Sequence, residues 1–176
     1  MKTLKTWTAA AAMLALSGAA QAALISNSNG TVKDTNTNLI WLQNWNVNGL
    51  QNWGTQKGWA EGLSFAGSND WVLPSISQYV DLVSAYGILT SVSQFTNVGA
   101  GNSDRYWSGT VITPGISAWG YFSVLSAPTG GLLGTQFFAV AVRPGDVTAS
   151  VPEPQTLALA LLALGATVVA RRRRAR

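Results

Sequence analysis

Neither cysteine nor histidine occurs among the 176 residues of this chain. These two residue types supply the nucleophile or the base of many covalent catalysts, and they are the usual ligands of zinc. Their absence excludes a Ser-His-Asp triad, a cysteine nucleophile, an ordinary zinc site and a disulfide bond. Catalysis by a pair of carboxylates remains possible, and so does a calcium site built from oxygen ligands.

Charged residues are also scarce, at 10% of the chain, and most of the positive charge lies at the two ends. Between residues 23 and 151 there are four basic and six acidic residues, a formal balance of −2. The net charge of +4 for the whole chain therefore comes from the end segments. No basic patch for nucleic acid remains between them, so we expect no nucleic-acid partner.

The first 22 residues have the pattern of a secretory signal peptide. Lys2 and Lys5 form a basic start, an apolar run extends from Ala9 to Leu16, and Ala20 and Ala22 make a small-x-small cleavage site. We therefore expect signal peptide 1–22 to be removed and the exported protein to begin at Ala23.

The C-terminal segment 152–176 has three parts in a fixed order. Pro152, Glu153 and Pro154 come first, an apolar run 157–170 follows, and a basic tail with Arg171, Arg172, Arg173 and Arg174 ends the segment. Fourteen residues of helix span about 21 Å, against a hydrocarbon core of about 30 Å. The segment therefore predicts a short transmembrane helix that stays in the membrane only briefly, with its arginines on the cytoplasmic side.

This triplet, apolar helix and arginine cluster resemble the PEP-CTERM sorting signal. The resemblance implies exosortase as a partner, a membrane enzyme that processes the chain near the triplet. It also implies export across the inner membrane, transient anchoring through the C-terminal helix, and a final place at the cell surface or outside the cell.

The part between the two end segments has patterns of both strands and helices, which predicts an α+β fold with long loops. Ser75 and Gln78 form a capping box ahead of an apolar face that ends at Gly87. The other predicted elements are a hairpin of 32–34 and 39–42 joined by a turn at 35–38, a helix over 55–66, and strands at 106–111, 118–125 and 136–142.

The segments "VKDTNTNLIWLQ", "WAEGLSFAGSNDWVLPSISQYVDL", "YWSGT", "AWGYF" and "AVAVRPGD" together resemble the Lcl C-terminal domain family. The resemblance assigns residues 23–146 to one such domain, with 147–151 as a linker to the sorting signal. It implies a C-type-lectin-like fold, in which two helices flank short antiparallel strands.

Six residues are candidates for contact with a glycan. Trp45 and Trp53 flank a loop rich in asparagine, where Asn46 and Asn52 supply amides; indoles stack on sugar rings and amides bond to their hydroxyls. Tyr106 and Trp107 are predicted on opposite faces of a strand, so one of the two is expected to be exposed. The alternative is that the tryptophans only hold a long loop in place.

No catalytic residue and no cofactor is predicted. Segments 68–70 and 102–104 are rich in oxygen ligands, but each offers a single carboxylate, so turn formation is favoured over calcium binding. Arg143 is expected to form a structural ion pair with Asp146 at the end of the domain.

We therefore expect a non-enzymatic, exported surface or matrix protein whose lectin-like domain binds polysaccharide in an exopolysaccharide or biofilm. The negative balance favours a neutral or weakly charged glycan. Two alternatives stay open: a purely structural matrix protein that binds other proteins, and a glycan hydrolase that uses paired carboxylates.

Overall fold

Two antiparallel sheets and two helices make up the fold, which confirms the predicted α+β composition. A computed structural model of the chain describes residues 22–99 and 104–145. The chain divides into two compact units, Met1–Pro144 and Gly145–Arg176. All of the elements below belong to the first unit, and of the second unit Gly145 alone is described.

The elements follow one another as strands, helices and strands again. They are β1 (Leu24–Ser26), β2 (Thr31–Asp34), β3 (Leu39–Leu42), α1 (Trp53–Glu61), α2 (Ile76–Tyr86), a 3₁₀ turn (Leu89–Ser91), β4 (Arg105–Thr113), β5 (Ser117–Phe122), β6 (Ala127–Leu132) and β7 (Val142–Pro144). One sheet has the order β1-β2-β3-β7 and the other the order β4-β5-β6.

The predicted hairpin is confirmed as β2 and β3. Asp34 pairs with Leu39 at the closed end, and Val32 pairs with Trp41. Asn38 takes a positive φ of 52° in the connecting turn, a conformation that asparagine tolerates better than most residues. The Asp34 carboxylate accepts hydrogen bonds from the Asn36 amide and the Thr37 hydroxyl, so the turn is fixed by its own sequence.

Helix α2 begins and ends where the sequence predicts. The Ser75 side chain accepts from the Gln78 amide while the Gln78 side chain accepts from the Ser75 amide, which is a complete capping box. Gly87 follows the helix with a φ of 80°. Tyr79 and Leu82 are fully buried on its inner face.

Helix α1 lies earlier than the predicted 55–66. Asn52 caps its start by accepting from the Thr55 amide at 2.9 Å, and the helix ends at Glu61. A tight turn follows, in which the Phe65 and Ser68 backbones bond to each other in both directions. The buried positions of α1 are Gln56 and Ala60, whereas the prediction placed its apolar face further along the chain.

Strands β4 and β5 match their predictions to within a few residues, but β1 and β6 were not predicted. Strand β6 pairs with β5 along its whole length, but it contains two glycines, which are rare in strands. The predicted strand 136–142 is instead an irregular segment. Phe137 bonds to Gln51, Phe138 bonds to Arg105 and Trp107, and regular pairing begins only in β7.

The core between these elements is aromatic. Seven rings are fully buried, those of Trp41, Trp45, Trp71, Tyr79, Tyr106, Trp107 and Tyr121. The ring of Trp107 lies against Gly131 of β6, where an added Cβ would come within 2.7 Å of its Cη2 atom. Glycine at this position lets the Trp107 ring approach the backbone of β6 closely.

Residues 1–21, 100–103 and 146–176 lie outside the described part of the chain. The predicted signal peptide is thus outside it apart from Ala22, as are the linker and the whole sorting segment with helix 157–170. Of the helices within 22–99 and 104–145, none combines the length and the apolar character needed to cross a membrane.

Candidate functional site

Three of the predicted glycan contacts are core residues. Trp45 and Tyr106 are fully buried and their ring centroids lie 5.1 Å apart. Trp107 is also fully buried, and its ring centroid lies 4.3 Å from that of Phe137. A ring with no solvent-facing surface cannot stack on a sugar, so this placement corrects the prediction for Trp45, Tyr106 and Trp107. The expectation that either Tyr106 or Trp107 is exposed is wrong, because Phe137 and Phe138 cover β4 on both faces.

Trp53 remains partly exposed, and its indole nitrogen donates to the Ser108 carbonyl at 2.8 Å. The indole nitrogen of Trp107 donates in the same way to Gln51, at 3.2 Å. These two bonds join the first residue of α1 and the end of the preceding loop to strand β4. They agree with the alternative in which tryptophans hold the long loop in place.

The two candidate asparagines of the loop before α1, Asn46 and Asn52, both form hydrogen bonds to residues close to them in the chain. Asn52 is the N-cap of α1, and the backbone N–H of Asn46 donates to the Oδ1 atom of Asn44 at 3.0 Å. Asn52 and Trp53 are adjacent, whereas Trp45 lies in the core. The structure therefore does not bring the six predicted residues together in one groove.

A groove does lie between α2 and the β5-β6 pair. It has a volume of about 400 Å³ and is lined by Ile76, Ser77, Val80, Asp81, Trp119 and Pro128. Its walls are largely apolar, with polar groups on the α2 side. This combination of an apolar wall with a few polar groups is typical of ligand sites.

The alternation of β5 explains why Trp119 faces this groove. Tyr121, two residues further on, stacks on Tyr79 of α2 with centroids 5.1 Å apart and planes at 9°. Side chains two apart share a face of a strand, so Trp119 also lies on the α2 face. Its cross-strand partner is Gly130, where an added Cβ would lie 3.2 Å from the Cδ1 atom of Ile112.

Ser77 and Asp81 supply the polar side of the groove. They are four residues apart on α2, hence neighbours on its surface, and both are exposed. The Ser77 and Ser75 hydroxyls are hydrogen-bonded at 2.8 Å. No lysine or arginine lines the groove, and the salt bridge found in the described part of the chain joins Lys57 to Glu61 on α1.

The two oxygen-rich segments differ in their surroundings. Asp70 is exposed, and Asp104 is buried, which raises the pKa of its carboxyl. Asn102 and Ser103 lie outside the described residues. Among those described, no three acidic side chains come together as a metal site would require.

Arg143 is buried with its guanidinium 5.7 Å from the ring centroid of Trp71. Its Nη1 atom donates to the Pro144 carbonyl at 3.1 Å. The expected partner, Asp146, lies outside the described residues. The contact with Trp71 gives Arg143 a structural role at the end of the domain.

The residues of the groove could have been found only in part from the sequence. Trp119 shares a strand face with Tyr121, and Ser77, Val80 and Asp81 lie away from the predicted apolar face of α2. Those patterns indicate exposure, but the register of β5 against β6 and the docking of α2 are needed to place all of them around one groove.

Two known sequence families match this chain. The Lcl C-terminal domain matches residues 30–143, and the PEP-CTERM protein-sorting motif matches residues 150–174. Both resemblances seen in the sequence are confirmed, and the sorting motif identifies the chain as an exported target of exosortase. A comparison with curated proteins gave no match.

Proposed function

This chain belongs to the Lcl C-terminal domain family and carries a PEP-CTERM sorting motif, and on this basis we propose that it is an exported surface or matrix protein that binds polysaccharide. Signal peptide 1–22 directs export. The sorting segment then holds the chain in the membrane until exosortase processes it, and the domain acts at the cell surface or in the extracellular matrix.

The observation that carries glycan binding is the groove at Trp119. A partly exposed indole offers a flat apolar face to a sugar ring, and the Ser77 hydroxyl and Asp81 carboxylate lie at the same groove to bond to sugar hydroxyls. A C-type-lectin-like fold, proposed from the family resemblance, agrees with this role. We propose binding without catalysis.

Binding to a panel of polysaccharides and oligosaccharides tests this function on the purified exported protein. Trp119→Ala is expected to weaken binding about twofold to tenfold, since one aromatic stacking contact contributes about 0.5–1.5 kcal/mol. Trp53→Ala is the matched control, because it removes the partly exposed tryptophan of the predicted loop site. Circular dichroism checks that both variants are folded.

The possible results separate the sites. Loss of binding in Trp53→Ala with normal binding in Trp119→Ala would place the glycan at the asparagine-rich loop. Absence of binding to every glycan in the panel would contradict the proposed function itself.

A second candidate function is protein binding in the matrix. The tip of the β4-β5 hairpin and the neighbouring end of β6 expose four large apolar side chains, those of Val111, Ile112, Ile116 and Leu132, which are 42–65% exposed. Exposed apolar side chains concentrated at one end of a domain often mark protein contacts. Capture of a matrix protein that persists with excess glycan and is lost in Ile116→Ser would favour this function.

A further inference from the structure

The groove at Trp119 combines two features that both attract positive charge. The face of an indole carries negative electrostatic potential and binds cations in preference to anions. Asp81 adds a carboxylate on the opposite wall. Ile76, Val80 and Pro128 complete apolar walls that reduce the contact of a bound group with water.

No cation of the protein compensates these features within the described residues. Lys33 lies on β2 and Lys57 on α1, where it pairs with Glu61. Arg105 lies with its guanidinium 5.3 Å from the Phe122 ring centroid, and Phe122 points to the sheet face opposite Trp119 because the two are three residues apart. Arg143 is buried against Trp71.

From this charge arrangement we propose that the groove recognises a glycan with free, protonated amino groups, such as a de-N-acetylated hexosamine polymer. The ammonium group lies between the Trp119 indole and the Asp81 carboxylate, and the apolar face of the sugar ring packs on the remaining walls. This inference rests on the proposed glycan-binding function. It excludes uronic-acid and sulfated polymers as preferred ligands, because their anionic groups would face Asp81 with no cation to bind them.

The test compares three tetrasaccharide probes by titration calorimetry with the exported protein: β-1,4-linked glucosamine, its fully N-acetylated form, and an oligogalacturonate. The amino form is expected to bind about threefold to thirtyfold tighter than the acetylated form, the range that one exposed ion pair and one cation–π contact supply. This preference is expected to decrease when the salt concentration is raised, because the ion pair is screened.

Asp81→Asn is expected to reduce the preference for the amino form severalfold, because it removes the ion pair to the ammonium group and so weakens binding of the amino form more than binding of the acetylated form. Asp70→Asn is the matched control, since Asp70 is also an exposed aspartate and does not line the groove. Both substitutions are on the surface, so folding is not at risk.

Equal or tighter binding of the acetylated form or of oligogalacturonate would overturn this inference and leave the proposed glycan binding standing. A preference for the amino form that is as large in Asp81→Asn as in the unaltered protein would also overturn it. Failure of all probes and of the wider glycan panel would instead contradict the proposed function.

Discussion

Replacement of Trp45 by alanine tests whether this tryptophan belongs to the core or to a binding surface. Its side chain is 0% exposed. The rings of Trp41, Tyr79, Phe95 and Tyr106 surround it at centroid distances of 5.1 to 6.0 Å. Alanine would leave a cavity between both sheets and α2.

The size of the expected effect follows from the buried area. A tryptophan buries about 150–250 Å², which at about 25 cal/mol per Å² corresponds to roughly 4–6 kcal/mol as an upper bound. Substitutions of buried aromatic residues by alanine cost about 3–5 kcal/mol. We expect a loss in this range, which is a large fraction of the about 5–15 kcal/mol that stabilises a typical domain.

Urea denaturation followed by far-ultraviolet circular dichroism measures the free energy of unfolding. Leu125→Ala is the control, because Leu125 is 66% exposed and its loss is expected to change stability by no more than about 0.5 kcal/mol. A loss below about 1 kcal/mol in Trp45→Ala, with glycan binding abolished in a folded protein, would refute the assignment of Trp45 to the core.

Two further predictions test packing and ionisation. Gly131→Ala is expected to destabilise the protein by about 1–3 kcal/mol, because the new methyl group would lie 2.7 Å from Trp107 and 2.9 Å from Phe137; Gly134→Ala, with no neighbour within 4 Å, is the control, and equal unfolding free energies in urea would contradict the packing. Burial, followed by the charge of Asp104, raises the pKa of Tyr106 to about 12, above its usual value of about 10. The folded state therefore holds this proton more strongly, and the stability it contributes is present below pH 10 and lost as the pH rises to about 12. The absorbance difference between the protein and Tyr106→Phe in alkaline titration checks this, and ionisation near pH 10 in a protein with native circular dichroism would contradict it.

Local signals predicted the elements that depend on neighbouring residues. The capping box and Gly87 delimit α2, and the turn at 35–38 delimits the first hairpin, because in both cases the bonds that fix the boundary join residues a few positions apart. The predicted helix 55–66 lies too far along the chain, because it was placed from the spacing of apolar residues. In the structure the N-cap at Asn52 and the turn after Gly62 set the two ends of α1. Strand β6 was missed because its glycines have low strand propensity, and pairing with β5 stabilises them in that conformation.

The sequence by itself determined the family, the sorting motif and the exclusion of cysteine and histidine chemistry, since these depend only on which residues are present and in which order. It could not determine which tryptophans are exposed. That depends on contacts between segments far apart in the chain: Phe95 and Tyr106 pack on Trp45, and Phe137 packs on Trp107, whereas Trp119 lies partly exposed at the groove. Only the tertiary structure could therefore move the candidate site from the asparagine-rich loop to the groove between α2 and the β5-β6 pair.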